Sequence, residues 1–262
     1  MSNRSAFARG AFAVSPTGFG TNPEALLDNK FMKAQDNQDS NEFSSIIMNE
    51  HKQFIQNIQA AGLEVTVLEM DEESNAPDAV FPDWFTTYKG ESMPEGVLII
   101  HPMKYQTRRN ERTPELIRKL QRQFKHTIDL THFEETGGAL EGKGSVVFDH
   151  RNRKFYITLS NRATIEVVDE LVEKWNQLCV DGATNPYRAV TFTSYDARGD
   201  VIYHTDCMMT IHGHHAMACL DSVKDQDERA MLIEELTSQK NPYPVEILEL
   251  SQDQIEYMSA NA

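Results

Sequence analysis

The chain has 262 residues, which is enough to bury a sizeable core as one large domain or two small ones. Its formal net charge of −15 disfavours binding to nucleic acid, and no apolar run approaches the roughly 18 residues that a membrane-spanning helix needs. The three cysteines, Cys179, Cys207 and Cys219, are an odd number without metal-type spacing, which indicates reduced thiols in a cytoplasmic protein.

The first predicted elements are a strand, a helix and a second strand. Residues 11–15 have the pattern of a strand, and apolar side chains that recur every three or four residues predict a helix over about 41–61. Gly62 is expected to end that helix, and the alternation of residues 64–70 predicts the next strand.

A strand–strand–helix–strand unit then recurs along the chain. The paired strands are predicted at 80–88 with 96–102, at 145–150 with 154–160, and at 201–211 with 215–223. The helices that follow them are predicted over about 114–124, 162–178 and 226–237, and the closing strands at 127–130, 189–194 and 245–250. A repeated unit that cannot close its own core predicts stacked blades around an axis, and residues 251–262 have the pattern of a further unit that stops early.

The sequence His204-Thr205-Asp206 lies in an apolar run that predicts a buried strand. One interpretation is a core histidine hydrogen-bonded to a neighbour, and the other is the acid/base pair of an active site. In a stack of blades the ends of the early strands converge, which would bring His204 and Asp206 together with Asp78, Asp83 and Glu141. Several carboxylates in one pocket predict a cationic ligand, and a planar guanidinium group fits them best.

Two arginines complete this predicted pocket. Arg108 and Arg162 could bind the carboxylate end of a ligand whose guanidinium group contacts the acids. Each residue of the set also has a structural alternative. Asp78 and Asp83 could be turn residues beside prolines, Glu141 a solvated loop acid, Arg108 part of a solvated face and Arg162 an ordinary residue of a first helical turn.

Five segments carry a resemblance to a known superfamily: 77–81 (PDAVF), 107–109 (TRR), 140–148 (LEGKGSVVF), 156–162 (YITLSNR) and 203–209 (YHTDCMM). They resemble the guanidino-group-modifying enzymes, which include arginine deiminase, dimethylarginine dimethylaminohydrolase and the amidinotransferases. The likeness extends from about Phe19 to Met258 and is strongest to the bacterial citrulline-utilization hydrolases. It implies a single α/β domain, the five-bladed propeller called a pentein.

The resemblance also implies roles for the site residues. His204 resembles the catalytic general acid/base, and Glu141 and Asp206 resemble acids that assist it. Asp78 resembles a carboxylate that binds the substrate's guanidinium or ureido nitrogens, as does Asp83 in a segment one residue shorter than in the related enzymes. Arg108 and Arg162 resemble arginines that bind the substrate's carboxylate.

The superfamily attacks the guanidinium carbon with a cysteine thiolate close to its C-terminus, and we expect this nucleophile and most of the fifth blade to be missing from the present sequence. The implied activity is hydrolysis of a C–N bond in citrulline, arginine or a methylarginine. Amidino transfer and non-catalytic binding of a guanidino ligand are the alternatives. We expect no metal or organic cofactor, a small guanidino or ureido amino acid as partner, neither nucleic acid nor membrane, and a possible homodimer.

A metal hydrolase is a second class suggested by the motif His212-Gly213-His214-His215. Its three imidazoles could ligate zinc, although no further ligand is evident in the sequence. The alternative is a hairpin turn around Gly213, and this is the interpretation that we favour.

Overall fold

The computed structural model of the protein describes residue 8 and residues 10–32 and 40–261. It shows an α/β protein whose strands form one two-stranded sheet and three three-stranded sheets. The strands are β1 Gly10–Val14, β2 Glu64–Leu68, β3 Phe85–Gly90, β4 Met93–Ile100, β5 His126–Asp129, β6 Val147–Asp149, β7 Lys154–Thr158, β8 Arg188–Phe192, β9 Met209–His212, β10 His215–Ala218 and β11 Glu246–Glu249. The α-helices are α1 Ser40–Ala60, α2 Gln106–Arg109, α3 Pro114–Gln121, α4 Gly142–Ser145, α5 Ile165–Leu178, α6 Gln226–Thr237 and α7 Gln252–Ile255. None of these helices is both long and apolar enough to cross a membrane.

The three-stranded sheets share one topology. In each, the first two strands pair antiparallel, and the third strand returns after a helix to pair parallel with the second. The helices α3, α5 and α6 make these returns, and β1–α1–β2 repeats the parallel half of the pattern. The repeated unit predicted from the sequence is therefore confirmed. Its arrangement as five blades, in a single domain with an incomplete last blade, stays a prediction.

The chain divides into two compact units, one comprising Met1–Pro82 with Tyr105–Ile117 and the other Asp83–Lys104 with Arg118–Ala262. In the first unit, α1 packs on β2, and the buried side chains include Val14, Ile55 and Leu68. Gly62 follows α1 with φ of +91°, a conformation that disfavours a side chain, so this glycine ends the helix as predicted.

The core of the second unit forms around α5. The helix buries Val167, Val168, Leu171 and Trp175, which recur at the helical period and lie on one face. They pack against apolar side chains of the central strands β4 and β7, in which runs of residues are buried on both faces. Each fully buried aliphatic side chain of this kind contributes about 1.5–3 kcal/mol to folding.

Two predicted strands are wrong at the ends that carry site residues. The strand predicted at 80–88 begins only at Phe85, because Phe81 N–H donates to Asp78 O at 2.8 Å and closes a turn before Pro82. The strand predicted at 201–211 begins only at Met209, since Thr205–Cys207 form a 3₁₀ turn. Trp84, Ile202 and Tyr203 in these runs are buried by tertiary contacts rather than by pairing in a sheet, whereas Phe81 and Val201 are exposed.

Smaller differences concern neighbouring segments. Ser145 ends the short helix α4 where a strand was predicted to start, and α5 begins three residues later than expected. Cys219 precedes a 3₁₀ turn at Leu220–Ser222 and is not in the middle of a strand. The prediction of α6 over 226–237 is confirmed at both ends.

Candidate active site

The second unit brings His204 and Glu141 together. His204 Nε2 lies 2.9 Å from Glu141 Oε2, and both side chains are buried. His204 is extended and precedes the 3₁₀ turn, whereas Glu141 is the residue before α4. The contact joins residues 63 positions apart, so it depends on the fold. An imidazole whose partner is a buried carboxylate is oriented for proton transfer.

Two further groups hold the Glu141 carboxylate in place. Arg162 Nη1 donates to Oε2 at 3.1 Å, and the backbone N–H of Lys104 donates to Oε1 at 2.9 Å. Because Glu141 and Arg162 are both almost completely buried, their charges compensate each other in a medium that would strongly disfavour either charge alone. The Arg162 guanidinium also lies over the ring of Tyr203, 4.5 Å from its centroid. Its predicted role as a ligand of the substrate's carboxylate stays a prediction.

Two glycines of the Glu141 loop allow close packing at the site. A Cβ at Gly142 would lie 2.2 Å from the carbonyl oxygen of Asp83, and φ of +42° there also disfavours a side chain. A Cβ at Gly144 would lie 2.4 Å from Nδ1 of His204. The helix α4 is therefore positioned between the backbone of Asp83 and the imidazole ring, and only glycine fits at these two contacts.

Asp206 adds a carboxyl group with an altered acidity. Burial raises its pKa to about 6, the charge of Asp83 adds to the rise, and His204 and Lys143 oppose it. Asn261 Nδ2 donates to Asp206 Oδ2 at 3.0 Å. A carboxyl group that titrates near neutral pH beside a second acid is suited to a cationic ligand, because a positive charge would relieve their repulsion.

The first unit contains the other two predicted residues, Asp78 and Arg108. Both are buried, and Arg108 Nη1 lies 4.0 Å from Asp78 Oδ2. Arg108 also approaches Glu111 at 2.5 Å and donates to Phe81 O at 2.7 Å. Asn22, which the sequence did not single out, donates to Asp78 Oδ2 at 2.7 Å. The convergence of these residues with His204 on one pocket stays a prediction.

Tyr203 and Lys104 in the second unit were not predicted from the sequence. Tyr203 was quoted only as the residue before His204, and the contribution of Lys104 is a backbone N–H, for which no side-chain signal exists. The local motif therefore indicated the pair of His204 and Glu141 but not the groups that orient it.

None of the three cysteines is placed as a reactive thiol. All three are buried. Burial raises the pKa of Cys179, and burial together with the charge of Asp206 raises that of Cys207 well above its usual range. Cys207 lies in the 3₁₀ turn, so its predicted placement on a strand shared with His204 is wrong, whereas its predicted burial is confirmed.

The histidine-rich motif forms the hairpin that we favoured. His212 ends β9 and pairs with His215 at the start of β10, with Gly213 in the turn at φ of +57°. In the part of the chain that the structure describes, no three His, Cys, Asp or Glu side chains are grouped as they would be in a metal site.

Solved structures share this fold over nearly the whole chain. ArgZ, described as an arginine dihydrolase from the ornithine–ammonia cycle in cyanobacteria, has a TM-score of 0.68 at 16% identity over 96% of this chain and 32% of its own. The N-terminal domain of ArgZ bound to substrate has the same TM-score at 14% identity over 96% of this chain and 79% of its own. A dimethylarginine dimethylaminohydrolase, as an adduct with S-methyl-L-thiocitrulline, has a TM-score of 0.60 at 17% identity over 95% of this chain and 78% of its own. The present chain thus spans about a third of the length of full-length ArgZ.

The match of a family profile shows that the protein is a member of the guanidino-group-modifying enzymes, as the sequence predicted. The profile of the family described as N,N dimethylarginine dimethylhydrolase, eukaryotic, matches residues 15–262, and the chain belongs to this family of C–N hydrolases. A search of curated proteins by sequence finds no match. That the chain is most similar to the citrulline-utilization branch of the superfamily stays a prediction.

Proposed function

We propose that the protein acts on the C–N bond of a guanidino or ureido amino acid of the arginine, methylarginine or citrulline type. The observation that carries the proposal is the buried contact of 2.9 Å between His204 Nε2 and Glu141 Oε2. Membership in the dimethylarginine hydrolase family supports the guanidino class of substrate. Water is the proposed acceptor, and transfer of the amidino group to an amine is the alternative chemistry.

In this proposal His204 is the general acid and base. Glu141 accepts a hydrogen bond from Nε2 and so fixes the tautomer, which leaves Nδ1 to exchange a proton with the substrate. A side chain at Gly144 would clash with this edge of the ring, because its Cβ would lie 2.4 Å from Nδ1. His204 protonates the departing nitrogen and later deprotonates the attacking water.

The carboxylates bind the planar end of the substrate. Asp206 and Asp83 repel each other when both are ionised, and a guanidinium group between them would offset that repulsion while donating hydrogen bonds to both. We assign the same function to Asp78, and we assign the substrate's carboxylate to Arg108 and Arg162. Glu111 and Glu141 would then hold the two guanidinium groups in orientation.

The proposed reaction passes through a covalent adduct on a thiolate. A structure of the ArgZ N-terminal domain is described as covalently bonded to a reaction intermediate, which supports this route for the fold. All three thiols are buried, and the pKa values of Cys179 and Cys207 are raised, so we propose that the thiolate is none of Cys179, Cys207 and Cys219. His204 and Glu141 would supply the acid/base pair, and the carboxylates and arginines would supply the binding groups.

Calorimetric titration with L-arginine, L-citrulline and Nω,Nω-dimethyl-L-arginine tests the binding step. We expect at least one ligand to bind, and we expect Asp206→Asn to weaken binding of a guanidinium ligand at least about 10-fold, or about 1.4 kcal/mol. The matched control is Asp200→Asn, which removes an acid from an exposed loop. Failure of all three ligands to bind, or equal affinity in the two variants, would refute the proposed site.

Release of ammonia or dimethylamine tests the chemical step. Turnover by this chain that survives replacement of all three cysteines by serine would refute the proposed thiolate route, because no thiol would remain to form the adduct. The burial of all three thiols also favours a second candidate, a protein that binds guanidino ligands without cleaving them. Binding without product release in the presence and absence of an acceptor amine would identify that function.

A further inference from the structure

Both neighbours of His204 are fixed by side-chain hydroxyl groups. On one side, Ser160 Oγ donates to the carbonyl oxygen of Tyr203 at 2.8 Å. On the other side, Thr205 Oγ1 donates to the carbonyl oxygen of Ser145 at 2.6 Å and accepts the backbone N–H of Thr158 at 2.8 Å. Thr205 is completely buried, so its hydroxyl exchanges no hydrogen bonds with solvent. The backbone that carries the imidazole is thereby attached to two different segments.

The carbonyl group that Thr205 contacts belongs to the element that carries Glu141. Ser145 is the last residue of α4, which starts directly after Glu141, and Ser145 N–H donates to Glu141 O at 2.9 Å. A closed ring of contacts results, from His204 to Glu141 through the side chains, along α4 to Ser145, and back through Thr205. The second bond of Thr205 joins this ring to β7, a fully buried strand at the centre of its sheet.

We infer that Thr205 is a positioning residue that holds His204 at hydrogen-bonding distance from Glu141. Its short β-branched side chain has few rotamers, and its hydroxyl is both donor and acceptor in a fully buried position. An isosteric valine would leave the Ser145 carbonyl and the Thr158 N–H without this partner, and the turn at 205–207 would shift to satisfy them. The inference rests on the proposed function in taking His204 and Glu141 as the acid/base pair.

Proton NMR of the His204 ring tests this role without turnover or ligand. An imidazole N–H bonded to a buried carboxylate gives a resonance downfield of the backbone amides, and loss of that resonance in His204→Gln assigns it. We expect the resonance in the wild type and in Thr205→Ser, which keeps the hydroxyl. We expect its loss in Thr205→Val, with a folded circular dichroism spectrum.

The matched control is Thr158→Val. It removes the buried contact of 2.8 Å between Thr158 Oγ1 and Ser194 Oγ but keeps the N–H that Thr205 accepts. We expect this variant to lose thermal stability and to keep the His204 resonance, which separates positioning of the histidine from general destabilisation.

A double-mutant cycle supplies the second measurement. We expect the losses of Tm in Thr205→Val and Glu141→Gln to be non-additive, because the two residues act on one ring of contacts, and those of Thr158→Val and Glu141→Gln to be additive. The inference is overturned by an unchanged His204 resonance in folded Thr205→Val, by absence of the resonance from the wild type, or by additivity in the first cycle. Because neither measurement involves a substrate, a failure of the proposed function would be visible separately in the binding assay.

Discussion

The raised pKa of Asp206 predicts a pH-dependent penalty to stability that Asp206→Asn should remove. Burial and the charge of Asp83 raise the pKa of this carboxyl group from 3.8 to about 6. Between these two values the folded state binds more protons at this site than the unfolded state, so the site's contribution to stability falls as pH rises. Below about pH 4 both states are protonated, and above about pH 6 the penalty is complete.

The size of the effect follows from the same two values. At about 1.4 kcal/mol per pKa unit, the difference between the two pKa values lowers the free energy of unfolding by about 3 kcal/mol before screening by solvent is considered. Asp206 is partly exposed and accepts a hydrogen bond from Asn261, so we expect about 2 kcal/mol in practice. The asparagine side chain stays neutral and can still accept that bond through its carbonyl oxygen. The variant should therefore match the wild type near pH 4 and exceed its free energy of unfolding by about 2 kcal/mol at pH 7.

Urea unfolding of both proteins at several pH values between 4 and 7.5 measures this difference. Asp196→Asn is the control, because it should change the stability at pH 7 in the opposite direction. Burial alone would raise the pKa of Asp196, but hydrogen bonds from the Arg198 side chain and from backbone N–H groups lower it. That carboxylate stabilises the fold above its unfolded pKa, and its contribution is lost as pH falls through the folded value, so its asparagine variant should be less stable at pH 7. A stability difference between wild type and Asp206→Asn that is constant from pH 4 to 7 would refute the reasoning.

Three further predictions concern the same site. Gly144→Ala should displace the His204 ring and abolish ligand binding in calorimetry, because its Cβ would lie 2.4 Å from Nδ1; binding of normal affinity would contradict the close contact. Arg162→Met should lower the free energy of unfolding by about 3–5 kcal/mol in urea titrations, because it leaves the Glu141 carboxylate without its buried counter-charge. Adding Glu141→Gln to this variant should recover part of the loss. Iodoacetamide should leave Cys207 unlabelled in the native protein and label it in urea, as measured by mass spectrometry. Rapid labelling of the native protein would show that Cys207 is not a buried, unreactive thiol.

Local sequence patterns were sufficient to predict most of the strands and long helices and their order. Periodic apolar residues located α1, because a helix that buries one side repeats its pattern along the chain, and the helices predicted at 162–178 and 226–237 are present as α5 and α6. The recurrence of the strand–strand–helix–strand unit followed from the same local signals, and so did the hairpin at Gly213. The motifs around Glu141 and His204 also marked two residues that the fold brings into contact.

Only the tertiary structure decided how those residues are held. Local apolar patterns predicted strands at 201–208 and 80–84, but the chain makes turns there, because burial by distant segments leaves the same hydrophobic pattern as pairing in a sheet. The attachment of Glu141 to Arg162, and of Thr205 to Ser145, likewise depends on where separate loops meet. Such contacts join residues that are distant in sequence, and no periodicity of a single segment specifies them, since each results from the packing of the whole unit.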